Sequence, residues 1–177
     1  MEDLRSADVP PVRDDDHVRG DGPVVVFYAD LSCPRCAVEH QRLRDDPTRP
    51  RVVFRHLALK ARHPRALALA HAAEAAAAQG GFWAFADATY ADQGRLEDPH
   101  LWERAQRLGL DVARFDADRR DSAIAARVTA DFRGGVRAGV PTTPTLFFAG
   151  ERHTGRPTAA LWERLSNLGP GERVYRP

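Results

Sequence analysis

The chain has two cysteines, three residues apart, in the run Ser32-Cys33-Pro34-Arg35-Cys36. That spacing suits thiol–disulfide exchange. One thiolate attacks a disulfide, and a second thiol one helical turn on resolves the mixed intermediate. Cys33 follows the β-prone run Val24-Val-Val-Phe-Tyr28 and opens a helical stretch. At a helix start the free backbone N–H groups and the helix dipole favour a thiolate. Pro34 fits a first turn, where its missing N–H removes no bond. Arg35 places a cation beside the thiolate at a position where the dipole disfavours it. The expected Cys33 pKa lies roughly within 3.5–7.5 for such motifs. A zinc site is the competing reading of the pair. His40 lies four residues after Cys36, but a tetrahedral site takes four protein ligands and no second cysteine pair exists. The spacing points to redox chemistry, with no metal.

A second feature is Val140-Pro-Thr-Thr-Pro-Thr-Leu-Phe-Phe148. Pro144 stands after a short loop and directly before an apolar run. X–Pro is the one peptide where a cis bond is cheap, though a trans turn with two prolines fits as well.

The elements that position these residues follow from pattern. Val24–Tyr28 and Arg51–Leu57 read as strands, with a helix from the dithiol to about Arg44, stopped by Asp46-Pro47. Residues from about Arg65 to Arg133 read as helical throughout. In that block Phe82, Phe85, Ala86, Thr89 and Tyr90 share one face. Asp98 with Pro99 and then Asp111 mark helix starts, and Ile124, Val128 and Phe132 share a later face. Thr145–Ala149 is a third strand and Glu151–Thr154 a short edge strand after a glycine turn. Thr158 caps a last helix with Leu161, Leu165 and Leu168 on one face, ended by Gly169-Pro170. Residues 1–22 read as a polar lead-in. The order predicts an α/β sandwich with a mixed sheet and a helical block between its halves.

Composition narrows the function classes. Lysine and arginine total 26 against 25 acids, a net charge of +1, which gives no pull toward nucleic acid or an anionic membrane. Lys60 is the only lysine, and the arginines are scattered among acids. No run is long and apolar enough to span a bilayer. The N-terminus lacks the apolar core of a secretory signal, so a cytoplasmic location is expected. Trp83, Trp102 and Trp162 read as helix core. The seven histidines read as dispersed, with His56 and His63 near the second strand in surface or hydrogen-bonded roles.

Taken together, Cys33-Pro-Arg-Cys36, the helical block and Thr143-Pro144-Thr145-Leu-Phe-Phe resemble the DsbA-like branch of the thioredoxin superfamily. The resemblance spans about residues 15–168. Asp16–Gly20, Phe54–Leu57, His63-Pro64 and Gly81-Phe-Trp83 add to it. It implies a thioredoxin-like fold with a mixed central sheet and a helical insertion between the second and third core strands. It divides the chain into a lead-in, 1–14, and one domain, 15–177, with the insert at about 65–133. It further implies that Cys33 is an exposed nucleophile and Cys36 a buried resolver. Pro34 and Arg35 would tune the redox potential. Pro144 would be cis against the dithiol, with the Thr143 backbone pairing to substrate.

The implied activity is thiol–disulfide oxidoreduction on protein or low-molecular-weight thiols, without a cofactor, and with oligomeric state and direction of electron flow left open. A cytoplasmic setting leans toward reductase or isomerase use. Two other readings stand beside it: a glutathione-dependent isomerase or transferase, and a non-catalytic binding or metal-carrier module. Two positions depart from the family pattern. Phe27 occupies the place, six residues before the nucleophile, where members often carry a buried acid. Asp30 could substitute, although a loop or capping role suits it better. Pro141 stands where a polar residue is usual.

Overall fold

The computed structural model describes residues 10–167. Five strands form one mixed sheet: β1 (His17–Arg19), β2 (Val24–Ala29), β3 (Arg51–His56), β4 (Thr145–Phe148) and β5 (Glu151–Thr154), in the order β1-β3-β2-β4-β5. β2 and β3 run parallel, joined by α1 (Pro34–Asp45), while β1, β4 and β5 pair antiparallel with their neighbours. Between β3 and β4 lie α2 (Ala66–Ala77), α3 (Phe82–Ala91), α4 (Asp98–Arg107), α5 (Val112–Asp118) and α6 (Ser122–Arg137). α7 (Ala159–Ser166) follows β5. This is the thioredoxin-like fold with a helical insert.

The apolar runs explain the central strands. β2 and β3 each bury five of six residues, as continuous β-branched and aromatic runs covered on both faces do. Alternation along β2 then feeds two cores. Val25, Phe27 and Ala29 pack with α1 and the insert helices, whereas Val26 and Tyr28 pack with Leu57, Val140 and Phe147.

Several expectations need correction. β1 lies inside the stretch that reads as polar lead-in. Three half-buried residues carry no detectable period, so its pairing with β3 is set by tertiary contact. The segment before it is anchored by charge. Arg55 and Asp16, both buried, meet at 2.7 and 2.9 Å. Burial works to raise the Asp16 carboxyl, but the Arg55 contacts hold it below the usual range. Arg13 and Arg127 share buried Asp131, whose second oxygen accepts from His56 N at 3.1 Å.

The insert runs on to Arg137 and breaks between α5 and α6, where the Asp121 side chain accepts from Ala123 N. The buried face of α6 is Val128, Asp131 and Gly135, with Ile124 half-buried beside it, and Phe132 faces out at 37% exposure. An acid and a glycine hide that stripe from any apolar count. Trp102 is likewise 37% exposed. Glu97, not Asp98, holds the N-cap position of α4, without a side-chain capping bond, and the Asp98 carboxylate instead pairs with Arg65 and Arg119. Thr158 caps α7 as its pattern predicts, with Leu161 and Leu165 buried, while Leu168 and Gly169-Pro170 lie outside the described residues.

Two glycines are required by close approach. At Gly20 φ is +90°, and a Cβ would stand 2.1 Å from Pro50 O. At Gly135 a Cβ would meet Leu57 Cδ1 at 2.8 Å and the Tyr28 ring at 3.1 Å, so α6 seats directly on β2. Gly135→Val is therefore expected to destabilise by about 1–3 kcal/mol through overpacking. Gly134→Ala, whose nearest neighbour would be Tyr28 Oη at 3.7 Å, should be neutral or stabilising by up to about 1 kcal/mol from helix propensity. Paired denaturant titrations check this, and equal effects would remove the close-packing explanation.

Candidate active site

β2 ends at Ala29 and α1 begins at Pro34, so four residues span the joint. Asp30 makes that joint. Its buried carboxylate accepts from Ser32 N at 2.8 Å, Ser32 Oγ at 2.5 Å and Leu59 N at 3.2 Å. Its carbonyl accepts from Cys33 N at 3.0 Å and from the Tyr90 hydroxyl at 3.3 Å. Asp30 is thus a loop-fixing acid with both carboxylate oxygens occupied. Cys33 becomes the N-cap of α1, with φ −90° and ψ 115°, and Pro34 takes the first helical turn.

Both cysteines are thiols in this structure, and their environments differ. Cys36 is fully buried, and burial, then the neighbouring Cys33 charge and hydrogen bond, push its thiol well above the ordinary value. Cys33 goes the other way. A hydrogen bond from the Cys36 thiol, with the backbone N–H groups of Cys36 and Arg35 and a contact to Thr143, outweighs burial and brings it down to about 5. Arg35 contributes through its backbone N–H. Cys33 was expected exposed, but the residue is 4% exposed. Thr143 closes over it, with Thr143 O at 3.9 Å from the sulfur.

The fold brings together all six residues singled out from the sequence. Cys33, Pro34, Arg35 and Cys36 open α1, and Thr143 and Pro144 meet them from the loop before β4. The Thr143–Pro144 peptide is cis, and both residues are buried. Gly155 N donates to Pro144 O at 2.8 Å and Thr145 Oγ1 to Thr142 O at 2.8 Å, which fixes this loop against β5. Phe27 packs edge-on against Phe54, with centroids 5.9 Å apart, wholly inside the core.

Three further groups, to which the sequence reading gave no part in the redox site, lie beside it. Tyr90, visible there only as one of an apolar stripe, sits at the dithiol; burial, then the charges at Cys36, Asp30 and Cys33, push its hydroxyl well above its usual value. His40, one turn beyond Cys36, is buried against the Tyr90 ring at 4.6 Å and pairs with Asp87 at 2.5 Å, which Arg19 also holds. Glu39 is 2% exposed, and burial raises its carboxyl despite Arg42 and Arg156. It lines a concavity of about 520 Å³ with Arg35, Val38 and Arg156, beside the dithiol. A larger one, about 980 Å³, lies between α1 and α7 and includes neither cysteine.

A reactive thiol at a strand-to-helix joint, faced by a loop that ends in a proline, defines a thioredoxin-fold protein with a polarised dithiol. The chain belongs to the thioredoxin family, whose model matches residues 14–166. The fold is DsbA-like. It superposes on a thioredoxin-like oxidoreductase from Silicibacter pomeroyi with TM-score 0.75 at 23% identity, covering 86% of this chain and 91% of that one. For Pseudomonas aeruginosa DsbA2 the TM-score is 0.69 at 24% identity, covering 88% and 94%.

Sequence relatives point elsewhere. The chain is 43% identical over 153 residues to a Na(+)/H(+) antiporter NhaA 1 of Salinispora arenicola, covering 83% of this chain and 24% of that protein. A like-named Mycolicibacterium vanbaalenii protein is 40% identical over 172 residues, covering 90% and 27%. The chain thus spans about a quarter of the length of these relatives. They overturn the cytoplasmic expectation, because the matching segment belongs there to chains named for ion transport across a membrane. The start of such a segment does not report its compartment. Among the described residues no helix is long and apolar enough to cross a membrane.

A depressed thiol contributes stability to the reduced fold that is complete above its unfolded pKa and lost as pH falls through its folded value. For Cys33 the loss is expected to run from the ordinary 9.0 down to about 5. Thiolate absorbance of the reduced protein should show one midpoint near 5. A midpoint above about 7.5, outside the range of activated cysteines, would remove the polarisation.

Proposed function

We propose that this chain is a thiol–disulfide oxidoreductase that exchanges disulfides with protein or low-molecular-weight thiols through Cys33 and Cys36. The carrying observation is the opposite shift of the two thiols, Cys33 down to about 5 and Cys36 well up. In the reducing direction the Cys33 thiolate attacks a substrate disulfide. A sulfur–sulfur bond forms to Cys33, and one substrate thiolate leaves. The Cys36 thiol then gives up its proton and attacks Cys33 Sγ. The Cys33–Cys36 disulfide closes and the second substrate thiolate departs, so two electrons have passed to the substrate. The reverse sequence oxidises a dithiol.

A stable Cys33 thiolate favours the reduced protein and so makes the disulfide form the better oxidant. That replaces the lean toward reductase or isomerase use, which rested on compartment. In this reading Pro34 and the Arg35 N–H tune the thiolate, and Thr143 with Pro144 presents backbone to the substrate chain. Cys33→Ser is expected to abolish exchange in an insulin-reduction or dithiol-oxidation assay, while Cys36→Ser accumulates mixed disulfides. Full activity in Cys33→Ser would end the assignment.

One observation favours a narrower reading, that the substrate thiols belong to a membrane transporter. It is the 43% identity to a segment of proteins named Na(+)/H(+) antiporters. Cys36→Ser protein incubated with membranes containing such a transporter should form a reductant-sensitive adduct with it, and recovery of free protein alone would count against this.

A further inference from the structure

Away from the dithiol, three metal-ligating side chains from separate elements converge. His17 comes from β1, His56 from the end of β3 and Glu74 from the middle of α2. The histidines, which read as dispersed in the sequence, meet here because of register. His17 lies opposite Phe54, and Phe54 and His56 share a face, so the two rings are diagonal neighbours on one side of the sheet. α2 lays Glu74 across both. His17 Nε2 stands 2.7 Å and His56 Nε2 2.9 Å from the same oxygen, Glu74 Oε1. All three ligand atoms lie within 4.8 Å of one another.

The setting is enclosed. The side chains of His56, Glu74 and His17 are 1%, 8% and 16% exposed, so His17 forms the more open edge. Phe82 stacks on His17 with centroids 3.6 Å apart, and Phe54 meets His56 edge-on at 5.1 Å. His56 is also held by its backbone, through Asp131. Burial works to raise the Glu74 carboxyl, but the two imidazoles hold it far below the usual carboxylate range, so it is an anion.

We propose that His17, His56 and Glu74 form a binding site for a zinc-type divalent cation. Two imidazole nitrogens and a carboxylate match the nitrogen–oxygen donor set of zinc, whose bonds to such ligands are about 2.0–2.2 Å. Those bond lengths place tetrahedral ligands about 3.3 Å apart, so the two imidazole–carboxylate separations have to open by only about half an ångström. A turn of the Glu74 carboxylate supplies that movement. The ion takes the place of the protons between rings and carboxylate, and its charge offsets the buried anion. Three protein ligands leave the fourth tetrahedral position for water. Bound there, the cation ties the three-residue edge strand β1, paired on one side only, to α2.

The test uses the full chain with Cys33→Ser and Cys36→Ser, so that no thiolate can hold metal. One equivalent of Co2+ is expected to give visible d–d absorption without a thiolate charge-transfer band. Zn2+ should displace it and raise the Tm. In the same background Glu74→Gln and His17→Gln should each weaken Zn2+ binding on the order of 100-fold. If Glu74→Gln does not fold, His17→Gln, at the open edge, decides. A free-ion cobalt spectrum with no Tm shift, or undiminished affinity in His17→Gln, would overturn the proposal and leave the cluster a hydrogen-bonded clip.

Discussion

A single buried carboxylate holds the joint on which the site depends. A chain leaving a central strand has its polar backbone groups cut off from the ladder, and here only four residues separate it from a helix. Asp30 supplies the acceptors there, taking the Ser32 N–H and hydroxyl with one oxygen and the N–H of Leu59, just past β3, with the other. Its carbonyl then receives Cys33 N. The first free turn of α1 is thereby aimed at the sulfur of Cys33, and Cys36 follows one turn on, under cover. The thiol asymmetry is a consequence of that placement, since Cys33 receives the Cys36 thiol and backbone N–H groups, whereas Cys36 is buried beside the Cys33 charge.

The same logic of buried polar groups with partners organises the rest of the molecule. Arg55 with Asp16, Asp131 with two arginines and the His56 amide, and Glu74 with two histidines are charges taken out of water and paired. Leaving any of these partners alone would be strongly destabilising, because an uncompensated charge would remain in the interior. Together they fasten the N-terminal segment and β1 to β3, α2 and α6. An edge that could not hold by three residues of pairing is held by electrostatics instead.

The absence of an acid at Phe27 acquires a physical meaning. That position belongs to the aromatic core between β2 and the insert, where Phe54 packs against it, and a carboxyl there would need a partner that the core does not supply. Polar groups near the resolving thiol come instead from the insert and from α1. They are the Tyr90 hydroxyl on Asp30, the His40–Asp87 pair behind it and half-satisfied Glu39. The insert helices are therefore part of the wall of the site.

What the sequence by itself determined is local. A continuous β-branched run, a cysteine at a helix start, a proline in the first turn and a second proline before a strand are each dictated by backbone preference over a few residues. They suffice to single out Cys33, Cys36 and Pro144 and the strand–helix order of the fold, while Thr143 comes from the family resemblance. Tertiary structure alone decided the rest. Cys33 and Thr143 are 110 residues apart, and only the β2–β4 pairing brings them within 3.9 Å. β1 has no periodicity to announce it, and Asp131 and Gly135 hide the buried stripe of α6, because their fit depends on partners and close approach and not on hydrophobicity. His17, His56 and Glu74 meet through register and a crossing helix. Neither leaves a trace in spacing along the chain, since side-chain meetings across elements are set by how the layers stack.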